Sequence, residues 1–280
     1  MRGLAQYAMK GGKQATLVAV IFAFIPVLFW ISAAIVALVF LRKGIQAGLQ
    51  VFMWSLLPAI FWWAKGDPTP ALTLISVAGL ASVLRYSANW AYVMVASILV
   101  ALVSMPILAS YLQEVMVAFA EAGIQLDAKT KLPSDVSQEQ VQALMEGVLG
   151  AVHLAIVLAC TVLARWWQAV LYNPGGFQTE FHQLRLPVWL TGTLALAVFG
   201  LSNMADMTQW LFILAMPLLF AGLALVHGLV KQLNLGRTWL IATYLGLLLS
   251  SAVVFTILAL LATLDSLFGL RQRLPVKAKS

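Results

Sequence analysis

Few side chains in this 280-residue sequence are equipped for chemistry, and they fall into three groups. The first lies in one polar stretch, residues 165–187 (RWWQAVLYNPGGFQTEFHQLRLP), where Glu180, His182 and Arg185 stand within six positions. A carboxylate, an imidazole and a guanidinium that close can move a proton or grip an anion. The second group is a set of ionisable residues in or at the ends of apolar runs: Arg85, His153, His227 and Asp265. At membrane depth such residues are costly and call for a partner. The third is the single Cys160, which permits neither an intrachain disulfide nor a cysteine-based metal site. The three histidines lack metal-ligand spacing. No Ser/His/Asp set, paired acids, HExxH, phosphate loop or dinucleotide fingerprint is present. The sequence therefore predicts no catalytic residue, no metal and no cofactor, and it does not read as an enzyme. An intramembrane protease or lipid transferase needs convergent polar groups at depth, and this chain offers few.

The elements that must position these residues are oily helices. Hydrophobic residues make up 62% of the chain and charged residues 10%, with a mean hydropathy of +0.94. A soluble domain carries about 25% charged residues. A chain this poor in charge cannot dress a soluble surface, so the expected fold is all-α, a polytopic transmembrane bundle in one integral membrane domain over 1–280. The net charge of +7 is explained by basic residues flanking membrane segments. They are spread over many loops, which argues against nucleic-acid binding. The basic N-terminus leads into an apolar run too long for a signal peptide, so that run reads as a retained first membrane segment.

No charge occurs between Lys13 and Arg42, nor over 238–264. Each run is one helix or two short ones, the first breaking near Ile25-Pro26. Further helices are expected over 44–64, 71–84, 89–111, about 138–172, 188–201 and 210–230, giving eight to ten membrane helices. Residues 113–146 form the main extramembrane segment. Its 115–126 portion is either an amphipathic helix on the outer leaflet or over a cavity, or a plain connector. Ser137 and Gln140 form a possible capping box for the next helix.

Ten passes place all 17 Lys and Arg except Lys65, Lys129 and Lys131 on the side of the termini, and all ten acids except Glu180 and Asp265 on the other. The positive-inside rule then predicts cytoplasmic termini, a cytoplasmic 173–187 connection and an extracytoplasmic 113–146 segment. Halves of about 12–16 residues reach only about 18–24 Å of a core about 30 Å thick. The split helices are thus half-helices, re-entrant, or shielded by neighbours.

Within the polar stretch, Asn173, Pro174, Gly175 and Gly176 stop a helix. Glu180 has Arg165 or Arg185 as a partner. The plain reading is a connection at the headgroup interface, with Trp166, Trp167, Tyr172, Phe177 and Phe181 as an aromatic belt. The sharper one is a docking surface for a cytoplasmic partner, built from Arg165, Asn173, Gly175, Gly176, Phe177, Glu180 and Arg185. Asp265 can pair with Arg85 or Arg271. His227 can bond a backbone carbonyl or Asp265. Ala15, Ala19 and Ala23 recur every four residues and allow close helix packing, a pattern that Ala33 and Ala37 continue.

Four stretches, NPGGFQTEFHQLRLP (173–187), FAGLALVHGLV (220–230), LDSLFGLRQRL (264–274) and the Pro26…LRKG pattern (26–44), resemble the YybS-like family of bacterial membrane proteins, over nearly the whole chain. The resemblance implies a bacterial inner-membrane location and a helical fold, but no activity, since that family is uncharacterised. The pattern is also remotely similar to substrate-binding subunits of energy-coupling-factor transporters and to MreD-like shape proteins. The first similarity implies that the Ala15, Ala19 and Ala23 face meets an energising membrane subunit; ordinary packing in an Ala-rich chain is the favoured explanation. Two functions are expected from this. One is a transporter-subunit-like binder of a small or lipidic hydrophobic ligand, opening outward beneath 113–146 and energised by a partner or a gradient, as no ATP-binding motif is present. The other is an MreD-like scaffold acting through protein–protein contacts.

Overall fold

The computed structural model describes residues 2–121, 138–204 and 207–273. Asp127, Lys129, Lys131, Asp135, Asp206, Lys277, Lys279 and the Ser137 half of the capping box lie outside them. The described residues form thirteen helices and no strand. They are α1 Arg2–Met9, α2 Gly12–Phe24, α3 Phe29–Lys43, α4 Ile45–Ala64, α5 Thr69–Ser87, α6 Trp90–Glu121, α7 Gln138–Tyr172, α8 Gly176–Gln183, α9 Val188–Leu201, α10 Thr208–Gln232, α11 Thr238–Leu249, α12 Ser251–Phe268 and α13 Leu270–Arg273. Five segments are long and apolar enough to cross a membrane: Ile45–Ala64, Thr69–Ser87, Trp90–Glu114, Gln140–Tyr172 and Gln209–Gln232. A sixth exists if α8 and α9, bent by 58°, make one broken span. These helices fit a multi-pass membrane protein.

Both charge-free runs break in two. Residues 25–28 separate α2 from α3: Pro26 lacks an amide proton, and Val27 sits at φ 69. Ser250, at φ −138, separates α11 from α12. At 13, 15, 12 and 18 residues, these helices reach about 20, 22, 18 and 27 Å. Each pair is a hairpin shorter than a hydrocarbon core of about 30 Å. The tips are apolar and open: Val27 is 76% exposed, Leu248 78% and Leu249 80%.

The chain divides into two compact units, Met1–Tyr172 with Met204–Ile213, and Asn173–Asn203 with Leu214–Ser280. In the first, α3 packs on α2, α4, α5 and α7. Ten consecutive α3 residues, from Ser32 to Leu41, are buried. Only a helix apolar on every side tolerates that, and Ala33, Ala34 and Ala37 keep it slim enough to be surrounded. Ala15, Ala19 and Ala23 are fully buried on α2, which packs on α3 and α4, so their surfaces are not open to another subunit. α4 is apolar on both faces. Gly48, Val51, Ser55 and Ala59 face inward, whereas Leu49, Met53, Leu57 and Ile60 are exposed. An outward face as oily as the inner one suits lipid rather than water.

One expectation is corrected. Residues 115–121 do not begin a separate amphipathic helix; α6 continues through them to Glu121. Nothing from Tyr111 to Glu121 breaks a helix, and Leu, Gln, Glu, Met and Ala favour one. Residues 122–126 lie outside the described ones.

Charges in the first unit are sorted by end. Trp62 Nε1 donates to Phe24 O, which sets the end of α2 beside the end of α4. Arg85 and Gln168 both donate to Leu41 O, which gathers the ends of α3, α5 and α7. Lys13, Arg42, Lys43, Arg85 and Arg165 therefore share one end, and Asp67, Glu114 and Glu146 lie toward the other, together with one cation, Lys65.

In the second unit, α12 packs on α9, α11 and α13. It also meets α10 at Gly222, where a β-carbon would fall 2.9 Å from the Leu258 β-carbon. The 173–187 connection, read from the sequence as joining two helices at the headgroup interface, contains a helix of its own, α8. The reason is local. Gly175 takes φ +87, open to glycine at little cost, and its carbonyl accepts from Thr179 N at 3.2 Å to start the turn.

Candidate functional site

Arg271 is the hub of the second unit. Its Nε and Nη2 donate to Asp265 Oδ2 at 3.0 and 2.7 Å, and its backbone amide donates to Asp265 Oδ1 at 3.2 Å. Two of the three remaining guanidinium protons go to main-chain carbonyls: Nη1 to His182 O at 2.6 Å and Nη2 to Leu184 O at 2.7 Å. Asp265 is 2% exposed and the Arg271 side chain 14%. Sequence geometry makes this possible. Gly269, at φ +64, ends α12 and turns the chain so that a residue six positions on reaches back to the carboxylate. The alternative partner, Arg85, caps α3 in the first unit instead.

A second guanidinium does the reciprocal work. Arg185, just after α8, donates through Nη2 to Ser266 O near the end of α12, at 2.6 Å. Ser266 Oγ donates to Leu186 O at 2.8 Å and accepts from Thr191 Oγ1 at 3.0 Å. Gln232 Nε2 donates to Arg271 O at 2.9 Å, adding the end of α10. Each arginine thus satisfies end-of-helix carbonyls of the other's element. Helix C-termini leave such carbonyls without intrahelical partners, and their partial negative charge favours cations.

Beside this clasp lies an aromatic and imidazole group. Phe181 stacks on Phe177 and meets Phe220 and His227 edge-on, with centroids 5.4 to 5.6 Å apart. His227 Nδ1 lies 2.8 Å from Leu223 O, which can only accept, so Nδ1 is the donor of that bond. Its Nε2 lies 3.4 Å from the Tyr244 hydroxyl. Of the two sequence options for His227, the structure places the backbone carbonyl beside it, not Asp265.

The proposed docking residues are only partly on the surface. Asn173 and Gly175 are exposed, Gly176 and Glu180 are half-buried, and Phe177 is buried. Arg185 is half-buried and occupied by Ser266. Asn173 fills the space where a β-carbon on Gly176 would lie. Arg165, in the first unit, donates to Gln168 Oε1 at 3.2 Å. His153 is buried on α7, and its Nε2 has no hydrogen-bond partner among the described residues.

Sequence reasoning missed a groove in the first unit. It runs between α2 and α4, with an open volume of about 390 Å³, lined by Gly12, Lys13, Thr16, Leu17, Val20, Gln50 and Trp54. Leu17, Val20 and Trp54 give it an apolar wall; Lys13, Thr16 and Gln50 are its polar groups. Gln50, one of two amides in an otherwise oily helix, was the one available signal. The 113–146 segment, beneath which the sequence placed the opening, has no described side chains over 115–139. The chain matches no family model, no curated protein and no solved structure.

Proposed function

We propose that the chain is a multi-pass protein of a bacterial inner membrane, of the YybS-like type, that binds a lipidic ligand in the groove between α2 and α4. The groove carries this reading. An oily wall with one cation and two neutral polar groups suits an amphiphile with an acyl chain and an anionic head, and pockets of this kind use few polar groups for orientation. Lys13 lies at the basic end of the unit, so the head would lie there and the chain would run toward Val20. The positive-inside rule then makes the basic end cytoplasmic, together with both termini and residues 173–187. No residue is assigned a catalytic role. Any energy for moving the ligand comes from a partner or a gradient.

The test is gentle purification with mass spectrometry of what remains bound. Wild-type protein is expected to retain one lipidic species well above its share of the membrane. Val20→Trp, which fills the groove, is expected to hold about tenfold less, since overfilling a packed site costs about 1–3 kcal/mol. Bulk lipid in membrane proportions, or equal retention by Val20→Trp, would overturn the reading.

The scaffold alternative draws support from α3, whose buried run fills the centre of the first unit with protein. It predicts that no ligand is retained at all.

A further inference from the structure

Three cations stand at the basic end of the first unit, two of them, Arg42 and Arg85, held by their neighbours, and none lines the groove. The Arg42 guanidinium carbon lies over the Tyr172 ring, 3.9 Å from its centroid. Lys43 follows it at the end of α3 and is exposed. Arg85 donates through Nη1 to Leu41 O, one residue before Arg42, and this holds its guanidinium against the Gly44 turn. The described carboxylates of this unit with described side chains, Asp67, Glu114 and Glu146, lie toward the other end. Arg42 and Arg85 each have one face or edge engaged, so their remaining N–H donors stay available to an oxygen-rich anion.

We infer that Arg42, Lys43 and Arg85 form a seat for the phosphate of an anionic phospholipid, at the point where α3 and α5 end. Phosphate chemistry fits because guanidinium forks and an ammonium match tetrahedral oxygens. A lipid rather than a soluble phosphate fits because the cations flank helices whose outward faces are apolar. The inference rests on the membrane placement proposed above, but not on the groove.

Tyr172 separates a built seat from generic attraction between basic loops and an anionic membrane. Generic attraction follows net charge; a seat depends on Arg42 being held in place. The experiment measures lipid binding to the purified full chain in detergent by native mass spectrometry. The probes are phosphatidylglycerol, phosphatidylcholine of the same chains, and inorganic phosphate. Phosphatidylglycerol is expected to bind more tightly than phosphatidylcholine. Arg42→Gln and Lys43→Gln, both at exposed positions, are each expected to weaken it about fivefold, the usual worth of one cation at an anionic surface. Tyr172→Leu should weaken it comparably with no change in charge, whereas Tyr172→Phe keeps the ring and should bind like wild type. Equal binding of the two lipids would overturn the inference, as would Tyr172→Leu binding like wild type. Competition by inorganic phosphate at concentrations matching the lipid would assign the site to a soluble anion instead. All of these comparisons are made in a Val20→Trp background, which closes the groove, so failure of the groove and failure of the seat are told apart.

Discussion

Arg271→Ala is expected to cost about 3–5 kcal/mol of stability, the range seen when one partner of a buried ion pair is removed. Three losses coincide. Asp265, 2% exposed, keeps a carboxylate with no cation. His182 O and Leu184 O lose their donors at the end of α8. The α8–α9 connection also loses one of its ties to the segment after α12. Arg271→Lys should rescue little, because a single ammonium cannot reach a carboxylate and two carbonyls in the fork geometry that a guanidinium supplies. Asp265→Asn should be milder, about 1–3 kcal/mol, since the amide oxygen still accepts and the guanidinium keeps both carbonyls. Unfolding in detergent, followed by circular dichroism, gives the comparison. In a double-mutant cycle, Asp265→Asn with Arg271→Gln should lose less than the sum of the two single changes. An Arg271→Ala protein within about 0.5 kcal/mol of wild type would mean that the pair is solvated, as exposed pairs are.

Gly222→Val is expected to destabilise the second unit by a comparable amount. A β-carbon at Gly222 would lie 2.8 Å from the Leu258 carbonyl carbon and 2.9 Å from its β-carbon, and nearer still to the carbonyl oxygen. The obstacle is the backbone of α12, which cannot rotate away as a side chain can. α10 and α12 must move apart, and overpacking of this kind costs about 1–3 kcal/mol or more. Small residues at such crossings let helix backbones approach in lipid, where close packing replaces the hydrophobic effect as the force holding helices together. Gly79→Ala is the control. Nothing lies within 4 Å of the β-carbon it would add to α5, so it should be neutral, or stabilising by up to about 1 kcal/mol through helix propensity. Equal losses at Gly222 and Gly79 in the same unfolding assay would show that packing at the crossing is not the cause.

Much of the architecture was legible because helices in an apolar chain are written by simple rules. Pro26 breaks the first charge-free run, and a run of oily residues without a charge is helical wherever nothing interrupts it. The segmentation of 44–64, 138–172 and 210–230 could be read this way. The second break, at Ser250, left no such mark: no proline or charge stands there, and Gly246 leaves room for Val254 of the returning helix, whose Cγ2 would lie 3.0 Å from a β-carbon at that position. α8 was hidden by its composition, since GFQTEFHQ lacks the apolar length of a membrane helix and follows two glycines. The clasp was half visible. Asp265 and Arg271 were candidates by spacing, but carbonyl acceptors carry no sequence signal, so the roles of Arg271 at His182 and of Arg185 at Ser266 emerged only from geometry. The groove had the weakest signal, because Lys13 on α2 and the Gln50 and Trp54 pair on α4 come from two helices, and no spacing rule joins one helix to the other.

The groove and the phosphate seat both depend on one orientation, with the basic ends in the cytoplasm and the hairpin tips inside the bilayer. Single-cysteine labelling in a Cys160→Ala background tests it most directly. Cys160 is buried and bonds only weakly, to Trp30 O at 3.4 Å, so its loss should be tolerated. A membrane-impermeant maleimide applied to intact cells should label Lys65→Cys. It should reach Asn173→Cys and Leu235→Cys only after permeabilisation. Val27→Cys, at an open but apolar tip, should resist the water-soluble reagent from both sides and react with a lipid-soluble one. Labelling of Asn173→Cys in intact cells, or of Val27→Cys as fast as Lys65→Cys, would contradict the account.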